Sequence, residues 1–164
     1  MAKPNKYAPL LCTIFMVIAI IGIVLGFVFK QALIPIILLL PTAIYEAYRT
    51  EGKSTKTASI VLLAVLVALM FLVLFDVQIN ITEILGSDQQ YIGGYWVPLG
   101  DLRIVATTVI TIISVILFTR TRGVYTRWMA VIIFVTSFVI IYLIDPAAFA
   151  DLFKYGIDEA LRRF

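Results

Sequence analysis

A chain of 164 residues that is 62% hydrophobic and only 14% charged is too apolar for a water-soluble domain, in which about 25% of residues are charged. Its net charge of +3 comes from lysines and arginines set in short breaks between apolar runs; with no continuous basic face, nucleic acid is excluded as a partner. The chain has no histidine, so it lacks the commonest general base and transition-metal ligand, and its single cysteine, Cys12, has no intrachain disulfide partner.

The first apolar run, Tyr7 to Phe29, carries no charge. At about 1.5 Å per helical residue it reaches about 34 Å, enough to cross a hydrocarbon layer of about 30 Å. Lys3 and Lys6 give it the basic start of a secretion signal, but it exceeds the roughly 7–15 apolar residues of such signals and lacks a small-x-small cleavage site. It is read as a retained span. Ala8, Cys12, Ala19, Gly22 and Gly26 gather near one helical face, and Gly22 to Gly26 is a GxxxG. Ala19, Gly22 and Gly26 are expected to pack against another helix, with a neighbour in the same chain favoured over a second chain.

A second span is expected over residues 32–48, although only Ala32 to Tyr45 is free of charge, about 21 Å of helix. Pro35 falls in the first turn, where proline is tolerated, whereas Pro41 should kink the helix. A re-entrant segment is the rival reading. Tyr45 and Tyr48 suit the interface. Glu46 lies three residues before Arg49 and reads as half of an interfacial ion pair, or else as a proton or cation site on a pathway.

Thr50 to Thr57 reads as a polar, basic loop. Its Gly52-Lys53-Ser54 looks like the end of a phosphate-binding loop, but the glycine required five positions earlier is Ala47 and no strand precedes it. The third span, 58–75, offers Ala64 and Ala68 as a small-xxx-small packing pair. An outer loop, 76–101, begins with alternating apolar and polar residues that favour extended chain. Later, Gly93-Gly94 lies between aromatic and β-branched flanks, the pattern of a two-residue hairpin turn. Tyr91, Tyr95 and Trp96 are expected at the headgroup level or against a partner. The loop's carboxylates (Asp76, Glu83, Asp88, Asp101) lack the spacing of a calcium loop, and no metal site is expected.

Asp101 is a candidate N-cap for the fourth span, 102–119, with Arg103 snorkelling at its rim. Thr107, Thr111 and Ser114 share one face, where hydroxyls usually hydrogen-bond neighbouring helices; lining a polar pathway is the lesser reading. Arg120, Arg122 and Arg127 surround the next turn and suit anionic lipid headgroups. The fifth span, 124–144, stops at Asp145-Pro146. The tail, 147–164, places Phe149, Leu152, Phe153, Ile157 and Leu161 on one face of an amphipathic helix, suited to the membrane surface or a partner.

Five spans collect eight basic and two acidic residues on the side of the N-terminus, and five basic and eight acidic on the other. The net charges are +6 and −3, so the positive-inside rule puts the N-terminus in the cytoplasm and the C-terminus outside. A re-entrant second segment would abolish the asymmetry. The expectation is therefore an all-α membrane protein, one domain over 1–164: a five-transmembrane-helix bundle with a short outer cap and a C-terminal amphipathic helix.

No catalytic residue and no cofactor is expected, because the middle of every span is uncharged. The expected partners are membrane lipids and other integral membrane chains. The function expected is that of a non-catalytic subunit or scaffold of a membrane complex; a small transporter, channel component or accessory chain is the alternative.

Overall fold

The computed structural model describes residues 7–50, 52–77, 90–92, 95–97, 101–121 and 123–150. Among them, four helices are long and apolar enough to cross a membrane: α1 (Ala8–Phe29), α3 (Lys53–Leu74), α4 (Leu102–Arg120) and α5 (Val124–Ile144). They make this an integral membrane protein. Between the first two lies α2 (Leu33–Arg49), whose 17 residues give about 25 Å of helix, short of the hydrocarbon thickness. Pro41 sits inside α2, which continues through it to Arg49.

The helices follow one another around a ring. α1 packs on α2, α2 on α3, α3 on α4, α4 on α5, and α5 closes the ring on α1. α2 also touches α5 across the interior, so it has three neighbours. Its buried face carries Pro35, Ile36, Leu39, Thr42, Ala43, Tyr45 and Glu46. Around Ile36 and Leu39 the interior is filled by Leu62, Leu66 and Leu69 of α3, Ile110 and Leu117 of α4, and Ile133 and Ile140 of α5. Outward positions such as Val24, Ile44, Ile60, Phe71, Ile112 and Val135 stay apolar and exposed, as lipid contact requires.

Small residues set the approach of α1 to its neighbours. Ala8, Cys12, Ala19, Gly22 and Gly26 are its buried residues. A Cβ on Gly22 would lie 2.8 Å from Leu38 Cβ, and one on Gly26 2.9 Å from Pro35 Cδ and 3.2 Å from Leu143 Cδ1. The GxxxG is thus occupied by α2 and α5 of the same chain.

On α3, Ala64 and Ala68 do not pack against a helix of this chain. Both are exposed, while Leu62, Leu66 and Leu69 are buried. Each alanine follows an inward leucine by two residues, about 200° around the helix, and leucine fills the ring interior where alanine would leave a void. The loop expected over Thr50 to Thr57 is also shorter than its polarity suggests. Gly52, at φ +116°, turns the chain, and Lys53 already begins α3. Thr57 Oγ1 donates to the Lys53 carbonyl at 2.7 Å, inside the first turns.

At the opposite end, Asp101 caps α4 by accepting from Arg103 N at 2.9 Å. Arg103 does not snorkel freely. It is held by Asp101 Oδ2 at 2.8 Å and by Asp76 Oδ1 at 3.0 Å, which joins the end of α3 to the start of α4. Asp145 ends α5 and its Oδ1 accepts from Ala147 N and Ala148 N, capping a further helical stretch over 146–150. Phe149 turns back onto α5, with ring centroids 5.6 Å from Tyr142 and 6.2 Å from Phe138.

Two short strands, β1 (Gln90–Ile92) and β2 (Tyr95–Val97), pair antiparallel with Tyr91 opposite Trp96 and Ile92 opposite Tyr95. The glycines between them, the rest of the 76–101 loop from 78 on apart from Asp101, the N-terminal lysines, Arg122, and the tail carrying Leu152, Phe153, Ile157 and Leu161 lie outside the described residues.

Candidate functional site

A polar cluster is buried at the basic end of the bundle, the end where α2 and α4 finish and α3 and α5 begin. Thr42, Glu46 and Thr50 recur every four residues, so one stripe of α2 presents hydroxyl, carboxyl and hydroxyl in turn. Helix α1 brings Cys12 and α5 brings Met129, which pack with Tyr45 as a small core of their own, flanked by Phe15. The Phe15 and Tyr45 rings lie 5.1 Å apart.

Glu46 is only 1% exposed. Its Oε1 accepts from Thr50 Oγ1 at 3.0 Å, and its Oε2 has no hydrogen-bond partner. The ion pair expected between Glu46 and Arg49 is not formed, since no N···O approach within 4 Å joins them and the ion pairs among the described residues belong to Arg103. Arg49 instead crosses to α1 and donates Nη1 to the Cys12 sulfur at 2.9 Å, leaving its Nε unpartnered. In the α4–α5 turn at the same end, Thr121 Oγ1 is a third buried polar atom without a partner.

A carboxyl oxygen, a guanidinium nitrogen and a hydroxyl, all buried with capacity unused, are unusual in a folded interior, where such groups cost free energy unless satisfied. Of the three, Glu46 Oε2 and Arg49 Nε lie within one turn of α2, an acceptor and a donor each left unused. The cluster has no nucleophile paired with a base, because the sulfur faces a guanidinium and the chain has no histidine.

The other anticipated residues fall elsewhere. Thr107 and Ser114 are fully buried and Thr111 partly so, with each hydroxyl bonded to a carbonyl of its own helix. Thr111 also meets Ser137 of α5 at 2.8 Å, so the stripe faces a neighbouring helix. Tyr91, Tyr95 and Trp96 lie on the strand pair. Arg120 and Arg127 are exposed at the basic end, but Arg127 Nε donates to the Thr121 carbonyl at 2.8 Å.

Sequence reasoning missed Thr42, Thr50, Thr121, Ser137 and the partnership of Cys12 with Arg49. The four-residue spacing of Thr42, Glu46 and Thr50 was a usable signal; Thr42 in fact donates across to the Phe15 carbonyl of α1 at 3.2 Å. Compared with protein-family models, with curated proteins and with solved structures, the chain matches none.

Proposed function

We propose that this chain is a non-catalytic integral subunit or scaffold of a larger membrane complex. It crosses the membrane five times, with the N-terminus and the basic end in the cytoplasm and the C-terminus outside. Arg49, Lys53, Arg120 and Arg127 at one end, against Asp76, Asp101 and Asp145 at the other, support that orientation. α2, shorter than the hydrocarbon layer, completes its crossing by local thinning of the bilayer, with Tyr48 exposed at its C-terminal end.

The observation that carries the reading is the outward position of Ala64 and Ala68. Small residues one turn apart let a second helix approach closely, and here they lie on the exposed face of α3 between Ile60 and Phe71, which are also exposed. The chain fills its own interior with leucines and leaves this small-xxx-small pair to a neighbouring chain. The strand pair and the C-terminal segment would add contacts outside the bilayer.

Cross-linking from cysteine placed at Ile60, exposed one turn before Ala64, in intact membranes should trap another integral membrane chain, and Ala64→Leu with Ala68→Leu added to that variant should abolish the product while leaving the melting temperature unchanged. A protein that is a lone monomer in mild detergent and gives no product from position 60 would overturn the proposal. Cysteines at Ser54 and Ser87 should label from opposite sides of the membrane; labelling from the same side would remove the five-span orientation.

One observation favours a second reading, a small transport component. An ionisable group inside a membrane domain is usually part of a pathway, and Glu46 has a free carboxylate oxygen. Proton or cation flux in liposomes that falls with Glu46→Gln would establish it, whereas no flux, or flux unchanged by that substitution, would exclude it.

A further inference from the structure

Between α3 and α4 at the basic end opens a cleft of about 840 Å³. Lys53 and Arg120 stand at its mouth beside the exposed Thr57, and Val61, Ile113 and Ile116 line its apolar part. From Lys53 to Val61 is eight residues and from Arg120 to Ile113 seven, so the cleft runs about 10–12 Å along both helices from cation to hydrocarbon. Among the described residues no carboxylate lies within 4 Å of either cation, and the cleft has no acidic lining residue.

We infer that this cleft is a binding site for one anionic phospholipid, its phosphate between Lys53 and Arg120 and an acyl chain along Val61, Ile113 and Ile116. The charge pattern selects this occupant. Two cations with no carboxylate partner among the described residues, at the level of the headgroups, call for a phosphate, and about two turns of apolar wall beneath them call for a chain attached to it. A free phosphate would leave the apolar wall unused, and a zwitterionic lipid would bring its phosphate together with a quaternary ammonium that offsets the attraction of the two cations. Arg127, the third described arginine of this end, is directed to the Thr121 carbonyl and contributes nothing to the cleft. The inference goes beyond the proposed function and holds for either reading of it.

The test uses the full chain purified in mild detergent, with native mass spectrometry of lipid retained from equal amounts of phosphatidylglycerol and phosphatidylcholine. The wild type should retain one phosphatidylglycerol in preference to phosphatidylcholine. Lys53→Gln with Arg120→Gln should lower that preference about thirtyfold, as the loss of two headgroup cations predicts, while Arg127→Gln leaves it unchanged. Val61→Trp, which keeps both cations but fills the wall, should also release the lipid. Each variant's thermal transition shows that it is folded, and Lys53→Gln alone, at the exposed start of α3, serves if the double variant is not. Equal retention of both lipids by the wild type, an unchanged preference in the cation variants, an effect of Arg127→Gln equal to theirs, or displacement by inorganic phosphate would each overturn the inference. Retention unaffected by Val61→Trp would reduce it to surface charge and overturn it equally.

Discussion

Arg49 gives an Nη1 hydrogen to the sulfur of Cys12, 2.9 Å away on α1, and leaves Glu46, three residues back on its own helix, to Thr50. The ends of two helices are thereby fastened through a weak acceptor, while a stronger one nearby keeps an oxygen unused. The lock lies at the basic end, where α1 and α2 are also joined by the Thr42 hydrogen bond to the Phe15 carbonyl and by packing of Phe15 on Tyr45.

This arrangement predicts the reactivity of Cys12. The thiol is fully buried, so a maleimide should leave it unmodified in the folded protein and label it quantitatively after unfolding. Arg49→Ala removes the side chain lying over the sulfur and should speed labelling about tenfold, equivalent to about 1.4 kcal/mol of lost local stability. Labelling of the wild type as fast as a surface cysteine would show that Cys12 is not where the fold puts it.

The contrast between α1 and α3 predicts opposite tolerances for similar substitutions. Gly22→Ala puts a methyl 2.8 Å from Leu38 Cβ, an atom held by the backbone, so the helices must separate. Overpacking of this kind costs about 1–3 kcal/mol. Ala64→Leu adds more atoms, but onto an exposed face, and should change the detergent melting temperature little. Equal melting temperatures for the two variants would contradict the assignment of the packed face.

The same contrast shows what the sequence made legible. Length and apolarity identify four spans, three of them within a residue and that of α3 to within a residue at its end but five residues late at its start, because lipid admits few alternatives to an uncharged helix of that length. Rotation about each helix axis is harder to read. In α1 the small residues are buried and in α3 they are exposed, and both patterns are apolar all round. Hydrophobicity cannot distinguish core from lipid, so only the neighbours decide, and those are set by tertiary contacts. The Glu46 cluster was half visible, since the Thr42, Glu46, Thr50 stripe lies along α2, but Cys12 and Met129 are distant in the chain. The basic charges near Gly52 marked an end of the bundle, not the extent of its loop, because Lys53 to Thr57 continue α3 past the apolar run.

Asp101 and Asp76 both bind Arg103, yet their removal should differ. The Asp101 side chain is 20% exposed and also caps α4, so Asp101→Ala should cost about 1 kcal/mol, as lost N-caps do. The Asp76 side chain is 75% exposed, and an exposed ion pair is worth little. Asp76→Ala should shift the thermal midpoint less than half as far as Asp101→Ala, and its effect should vanish in high salt. Equal shifts would mean that the ion pair, not the cap, holds this end.

Thr111 and Ser137 offer a direct measure of what a hydroxyl contact is worth between α4 and α5. Their oxygens lie 2.8 Å apart, and each also has a carbonyl within its own helix: Thr107 for Thr111 and Phe134 for Ser137. Neither is therefore stranded when the other is removed, which makes the pair suitable for a double-mutant cycle. Thr111→Val and Ser137→Ala should each destabilise the detergent-solubilised protein, with a coupling energy of about 0.6 kcal/mol, the average for interhelix hydrogen bonds in lipid. If the hydroxyls instead lined a water-filled path, solvent would replace the lost partner and the coupling would fall to zero. Together with liposome flux unchanged by Thr111→Val, a coupling near the predicted value would show that these hydroxyls hold the two helices together and carry no cargo.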